Sequence, residues 1–310
     1  MIVKFGLLSV GVALAFFARS SSATPVSAFS AKQEKYQVDQ VEPRIIGGEE
    51  ATPNEFPFLV RLTIVKPAGS FTCGGALVHQ NWVLSAAHCF QDNAVWDPNE
   101  VNQVDVHIGA HQNGGDGTTV TVKSDQIYNH PSYDPSTISN DIALIQLPVN
   151  SHSVADSDLA QMRLDDEVPF GEELTVAGWG LINEDPQTHP THLQKVVVPV
   201  ITDEKCNEWT GNLLTLHDAG EVFCAGTEEG GKDSCMGDSG GPFFRKEGDD
   251  WVTYGVVSYG PSIGDLSCAL PENPGIYAKP KFHKAWIETI MSGETYVAPT
   301  TPPPTKSGLN

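Results

Sequence analysis

Between about residue 45 and residue 280 the chain alternates short apolar and polar positions, in stretches separated by Gly, Pro, Asn and Asp. Residues 58–65 (FLVRLTIV), 104–108 (VDVHI), 118–122 (TTVTV), 174–177 (LTVA), 196–201 (VVVPVI) and 251–259 (WVTYGVVSY) carry the pattern. Short runs of Val, Ile, Leu and Tyr bounded by turn-forming residues each predict a strand. Many short strands with turn signals between them predict an all-β sandwich or barrel. One helix is expected near the end, where Phe282, Trp286, Ile287 and Ile290 recur at helical spacing and would pack against the body.

The ends of the chain read differently. Lys4 precedes an apolar run from Phe5 to Ala18, and small residues follow, with plausible cleavage ends at Ser21-x-Ala23 or Val26-x-Ala28. The run is shorter than the roughly 20 residues of a membrane span, so it predicts a signal peptide, an uncleaved anchor being the alternative. From Ala298 to Asn310 the chain is rich in Pro and Thr, which predicts an extended tail with no core of its own.

Bulk properties narrow the function. A chain of 310 residues with 40% hydrophobic content can bury a sizeable core. Its 18 basic and 39 acidic residues give a formal charge of −21, which disfavours nucleic acid and anionic lipid as partners and favours cationic ones. Six cysteines in an exported chain predict disulfides, though spacing alone does not choose among the possible pairings. No C-x-x-C pair or H-E-x-x-H helix is present, so no metal and no cofactor is expected, and no N-x-S/T sequon predicts glycosylation. Gly226–Lys232 (GTEEGGK) begins like a phosphate-binding loop, but Asp233 stands where Ser or Thr is needed.

Hydrolysing an amide through an enzyme hydroxyl needs a nucleophile, a base, a carboxylate to orient the base, and N–H donors for the oxyanion. Ser239 in Gly237-Asp238-Ser239-Gly240-Gly241-Pro242 is the candidate nucleophile, since glycines let the backbone turn tightly beside a substrate. His88 in Ser85-Ala86-Ala87-His88-Cys89 is the candidate base, with a cysteine beside it to pin the loop. Asp141 leads directly into the apolar run Ile142–Ile145; buried there it needs hydrogen bonds, which an imidazole N–H supplies. A cap at the entry to a strand is its plainer role.

The stretches SAAHC, NDIALI and GDSGGP, in that order, resemble the chymotrypsin-like serine proteases, trypsin-like subgroup. FTCGGALV, VAGWG and NPGIYAK extend the resemblance over residues 45 to 292. It implies two six-stranded antiparallel β-barrels with a C-terminal helix, and disulfides Cys73–Cys89, Cys206–Cys224 and Cys235–Cys268. It assigns His88, Asp141 and Ser239 to catalysis, the N–H groups of Gly237 and Ser239 to the oxyanion hole, and Ser258 to supporting Asp141. Asp233 would form the floor of the specificity pocket and Gly260 and Gly275 its open walls, selecting Arg or Lys. The chain departs from the family at Met236, where Gln is common, at Tyr259, where Trp is usual, and in the longer stretch 261–267. Where calcium-binding relatives carry paired glutamates, residues 110–119 offer only Asp116.

The same resemblance marks Arg44-Ile45-Ile46-Gly47-Gly48 as an activation site, after which a freed Ile45 amine would pair with Asp238. The expected organisation is a signal peptide (1–23), an activation propeptide (24–44), a protease domain (45–292) and a Pro/Thr-rich tail (293–310). The expected product is a secreted, extracellular monomer that cuts protein or peptide substrates after Arg or Lys, meets protein inhibitors, and binds neither nucleic acid nor membrane. Cut after Arg44, it keeps 13 basic and 36 acidic residues, a charge of −23. The alternative is a binding or inhibitory protein on the same fold without significant catalysis.

Overall fold

A computed structural model of the protein describes residues 45–114, 116–184, 186–262 and 268–297. The expected signal peptide, the propeptide with Arg44, positions 263–267 of the long stretch and residues 298–310 of the tail lie outside the described residues. No helix among the described residues is long and apolar enough to cross a membrane.

After β1 (Glu49–Glu50), seven strands form the first sheet: β2 (Leu59–Lys66), β3 (Gly69–His79), β4 (Trp82–Ser85), β5 (Gln103–Ile108), β6 (Thr118–Val122), β7 (Ile127–Asn129) and β8 (Ala143–Gln146). Its order is β6-β5-β2-β3-β4-β8-β7, antiparallel throughout. The second half holds β9 (Ala160–Met162), β10 (Glu173–Gly178), the two-residue strands β11 (Asn183–Glu184) and β12 (Gln187–Thr188), and β13 (Gln194–Ile201). It continues through α1 (Asp203–Thr210), β14 (Val222–Ala225), β15 (Pro242–Glu247), β16 (Asp250–Tyr259), β17 (Gly275–Ala278) and α2 (Lys284–Met291).

Strands β13-β10-β15-β16-β17-β14 return to β13 and so close a six-stranded barrel. The first sheet curls without closing by a ladder: its edges β6 and β7 are consecutive in the chain, but the tight turn Ser124–Gln126 redirects the backbone between them. Closure matters because it removes exposed edges. The architecture is the expected mostly-β double barrel.

Alternation explains the strands. Inward positions of β2, β5 and β13 are buried and the intervening ones stay in contact with solvent, as a half-covered strand requires. The two cores are mainly aliphatic. Phe56, Phe58, Phe244 and Trp251 bring edges to faces at 4.9–5.7 Å where the halves of the chain pack together. Inside the second barrel Phe223, Phe243 and Tyr277 stack, the closest pair 4.3 Å apart.

Helix α2 buries Trp286 and Ile287 against the body, with Ile290 packed beside them. Phe282 is not on its stripe; it is 39% exposed in the turn before the helix. Pro280 starts that turn and successive N–H groups reach back only three residues, so the helix begins at Lys284 and the Phe282 ring lies against His283 instead. Beyond residue 292 the described chain stays on the body as far as Tyr296, which faces His130.

Candidate active site

Antiparallel pairing of β4 with β8 sets Ser85 opposite Ala143. Three residues beyond the end of β4 comes His88, and two before β8 comes Asp141, so this register brings the two together. His88 sits on a single tight turn, Ala87–Cys89, anchored by the Cys73–Cys89 disulfide. Asp141 is 1% exposed. Its Oδ1 accepts the His88 backbone N–H at 2.9 Å, and its Oδ2 lies 2.7 Å from Nδ1 of the same residue. The Ser258 hydroxyl, from β16, donates to Oδ2 as well. That arrangement fixes the tautomer with the proton on Nδ1 and leaves Nε2 as the free base. Burial would pull the His88 pKa down, but the facing carboxylate outweighs it and raises the imidazole above its ordinary value. Burial likewise pushes Asp141 up, and the charge and hydrogen bonds of His88 and Ser258 hold it below the usual carboxylate range.

Ser239 arrives from the other barrel, on the turn that leads into β15. Asp238 N–H bonds to Cys235 O at 2.9 Å, Gly241 N–H to Asp238 O at 2.9 Å and Gly240 N–H to Val257 O at 2.8 Å. Gly240 needs its missing side chain twice over: its φ is +78°, and a Cβ would fall 2.3 Å from Ser85 Oγ. Gly237 also lies at positive φ. Ser239 O accepts the Gly74 N–H at 2.7 Å, which ties this turn to β3 of the first sheet.

Asp238 is buried beneath the turn, its oxygens accepting N–H groups of Gly180 at 2.8 Å and Cys235 at 2.9 Å. A Cβ on Gly178 would stand 2.2 Å from Oδ1 and one on Gly180 2.4 Å from Oδ2, which is the physical content of the VAGWG stretch. Burial pushes the Asp238 carboxyl up to about 6 despite those donors. Ile45 is fully buried nearby in the second core, the Ile46 carbonyl accepts the Asp233 N–H at 3.3 Å, and Gly47 lies so close to Gly231 that a Cβ would overlap its carbonyl.

His88, Ser239 and Ser258 line a cavity of about 370 Å³ together with Tyr259, Gly260, Met236, Gly275 and Asp233. Asp233 is 3% exposed. One carboxylate oxygen accepts the Ala269 N–H at 3.1 Å; the other makes no hydrogen bond of standard geometry among the described residues. A Cβ on Gly275 would sit 2.8 Å from that second oxygen, so a glycine there keeps the carboxylate open to the cavity. Burial pushes Asp233 up to about 7, against the N–H groups of Ala269 and Ser234. The remaining disulfides are Cys206–Cys224 and Cys235–Cys268, the second of which braces two cavity walls. All three pairings are those the resemblance implies.

The trypsin family model matches residues 45–287. The chain belongs to the trypsin family. Over 251 residues it is 32% identical to the trypsin of Sus scrofa, covering 80% of this chain and 96% of that protein. Trypsin-2 of Salmo salar is 35% identical over 252 residues, with the same shares covered. Serine protease 56 of Homo sapiens is 35% identical over 269 residues, which is 85% of this chain but only 41% of the human protein. The trypsin-family fold thus carries a cavity lined by Asp233, Ser258, Gly260 and Gly275 together with His88 and Ser239.

Some residues around the cavity are invisible to motif reading. Glu221, buried just before β14, accepts the Asn140 N–H and, at 3.1 Å, the Asp218 N–H. His217 packs between them, Nδ1 at 3.5 Å from Glu221 and Nε2 at 2.6 Å from the Tyr259 hydroxyl. A buried polar chain therefore runs from the cavity wall at Tyr259 to the backbone immediately before Asp141. Asn140 itself holds φ +55°, a conformation Asn tolerates better than most residues. The i, i+4 spacing of His217 and Glu221 was the only signal, and no helix forms there. Glu221→Ala is expected to leave the Asn140 N–H buried without an acceptor and to lower unfolding free energy by about 1–3 kcal/mol. Denaturant titration checks this, and an unchanged midpoint would remove the network from the structural account.

Proposed function

We propose that the chain is the zymogen of a secreted serine endopeptidase that cuts after Arg or Lys. The observation that carries the reading is one cavity lined by Ser239, by His88 with its Asp141 partner behind it, and by a buried, only partly satisfied carboxylate, Asp233. An unpaired buried carboxylate is costly, and a long cationic side chain reaching it relieves that cost, whereas an apolar side chain does not.

In the reaction, Ser239 Oγ attacks the scissile carbonyl while His88 Nε2 takes its proton. Asp141 keeps Nδ1–H in place and stabilises the imidazolium. The N–H groups of Gly237 and Ser239 meet the oxyanion, and His88 then returns the proton to the leaving amine. The Asp141–His88 geometry supports assigning these roles. Secretion rests on the N-terminal apolar run and is supported by the three disulfides. Activation follows cleavage after Arg44: the new Ile45 amine pairs with Asp238, and the burial of Ile45 and the seating of Ile46 and Gly47 support that position. Arg44 is itself a cut site of the proposed specificity, so one active copy can process another. Protein inhibitors presenting an Arg or Lys would occupy the same cavity.

Cleaving the purified protein after Arg44 and assaying peptides ending in Arg, Lys or a bulky apolar residue tests this. Turnover is expected on the first two, near-complete loss in Ser239→Ala with the fold retained, and selective loss of Arg/Lys cleavage in Asp233→Ser. A cut, folded protein inert on every peptide and unlabelled by a serine-directed covalent inhibitor would overturn the reading. The acid limb follows from His88, which must be neutral to act: because Asp141 raises its pKa, kcat/KM should fall already above pH 6.5. A rate flat from about pH 5 to 8 contradicts that role.

Burial of Asp233 adds a separate dependence. An aryl amidine stays cationic throughout, so its own charge adds no pH dependence. Below the Asp233 pKa of about 7 the carboxyl is protonated and binding weakens with falling pH; above it affinity levels off. The limit for this one group is about tenfold per pH unit. Calorimetry in buffers of different ionisation enthalpy should show proton release on binding near neutrality, and Asp233→Ser should lose most of it.

A further inference from the structure

Away from the cleft, three side chains from distant parts of the chain converge: Glu50 of β1, His111 after β5 and His192 just before β13. The backbone locks them together. Glu50 pairs with Gln194, Ala51 N–H bonds to Leu193 O at 2.9 Å, Leu193 N–H bonds to His111 O at 2.8 Å, and Gln112 bridges to His192. The His111 carbonyl also accepts the Trp179 indole N–H at 3.2 Å, and Asp116 Oδ1 takes the N–H groups of His111 and Gln112, each at 2.8 Å. Residue positions here are set by the fold, not by mutual attraction of the side chains.

His111 Nε2 lies 3.3 Å from Glu50 Oε1, and His192 Nδ1 lies 3.6 Å from Oε2. The three candidate donor atoms fall within 4.8 Å of one another. A tetrahedral zinc ion with bonds of roughly 2.0–2.2 Å holds its ligand atoms roughly 3.3–3.6 Å apart, so small adjustments complete the geometry. The imidazole rings stack at 5.0 Å, and His192, 39% exposed at its side chain, has room to turn its nitrogen onto a shared ion. Neighbouring Glu49 and Glu55 are taken by Lys195, at 3.4 and 2.6 Å, whereas the ion pairs of Glu50 among the described residues are with the two histidines.

We propose that Glu50, His111 and His192 form a binding site for zinc, with water as the fourth ligand. Two imidazoles and one carboxylate are a borderline-soft donor set that suits zinc and its transition-metal neighbours; calcium and magnesium prefer oxygen alone. The ion would clamp β1, which directly follows the seat of Ile45–Gly48, to the lead-in of β13 and the loop after β5. The site does not depend on the peptidase reading.

The test uses the full chain with any affinity tag removed. Zinc titration by calorimetry should show one ion bound per chain outside the cleft, and cobalt in its place should give the visible bands of a tetrahedral ion. Zinc should raise Tm by mass action. His192→Ala and Glu50→Gln, both on exposed side chains, should weaken binding by more than the about 10–100-fold typical of losing an outer partner of a metal ligand. His111→Ala should do the same where it folds. His88→Ala removes the histidine of the other donor grouping that contains one among the described residues, and it should leave this site intact. Calcium should neither bind nor raise Tm through these residues. No zinc binding by the parent chain, binding unchanged in both His192→Ala and Glu50→Gln, or binding abolished by His88→Ala would each overturn the proposal.

Discussion

A carboxylate taken out of water must be met by N–H groups, hydroxyls or a cation, and four carboxylates are buried around one cleft: Asp141, Asp233, Asp238 and Glu221. The compensation each receives determines what its surroundings look like. Asp141 is met by His88 twice and by Ser258, and it is ionised below the ordinary range. Asp238 and Asp233 receive backbone donors only in part, and burial drives both upward. Glycines at 178, 180 and 275 exist because carboxylate oxygens occupy the space where side chains would be. The loops of the cleft are thus folded around charges.

Those charges hold their places because the barrels are rigid. Pairing of β4 with β8 sets the distance between His88 and Asp141, and the Gly74–Ser239 hydrogen bond registers one barrel's turn against the other's strand. The aromatic contacts among Phe56, Phe58, Phe244 and Trp251 supply the apolar adhesion on which that alignment rests. Apolar packing is non-directional, whereas the hydrogen bonds select one arrangement within it.

Much of this was legible in the sequence. Strands β2, β5, β6 and β13 follow the two-residue alternation, because each has one face on a core and one toward solvent, whereas seven successive residues of β16 are buried. Motif order brought His88, Asp141 and Ser239 into one hypothesis, and the fold places the first two in contact and the third in the same cavity. Closure of only one sheet by a ladder was not legible, since strand neighbours depend on pairings far apart in the chain. Phe282 fits a helical stripe by spacing, but Pro280 moves the helix start past it. Beyond the i, i+4 spacing of His217 and Glu221, neither these two nor Glu50, His111 and His192 carry a local signature: Asn140, Tyr259 and the partners of Glu50 are brought in by the topology.

Asp233 and Asp238 are also coupled to one another. The charge on Asp238 is among the causes that raise Asp233, after burial itself. Two negative charges confined in one poorly solvated region oppose each other's ionisation, so a cation placed against either eases ionisation of the other. On the proposed activation, the ammonium brought to Asp238 would therefore do more than order the loop above it. It would lower the cost of keeping Asp233 charged, where the proposed substrate cation would bind. By reciprocity, a cation at Asp233 would strengthen the hold of Asp238 on the new chain terminus. Under that proposal, activation and substrate recognition are two ends of one electrostatic equilibrium, carried by residues five apart in sequence and linked through Cys235, whose N–H holds Asp238 and whose disulfide braces the wall beside Asp233.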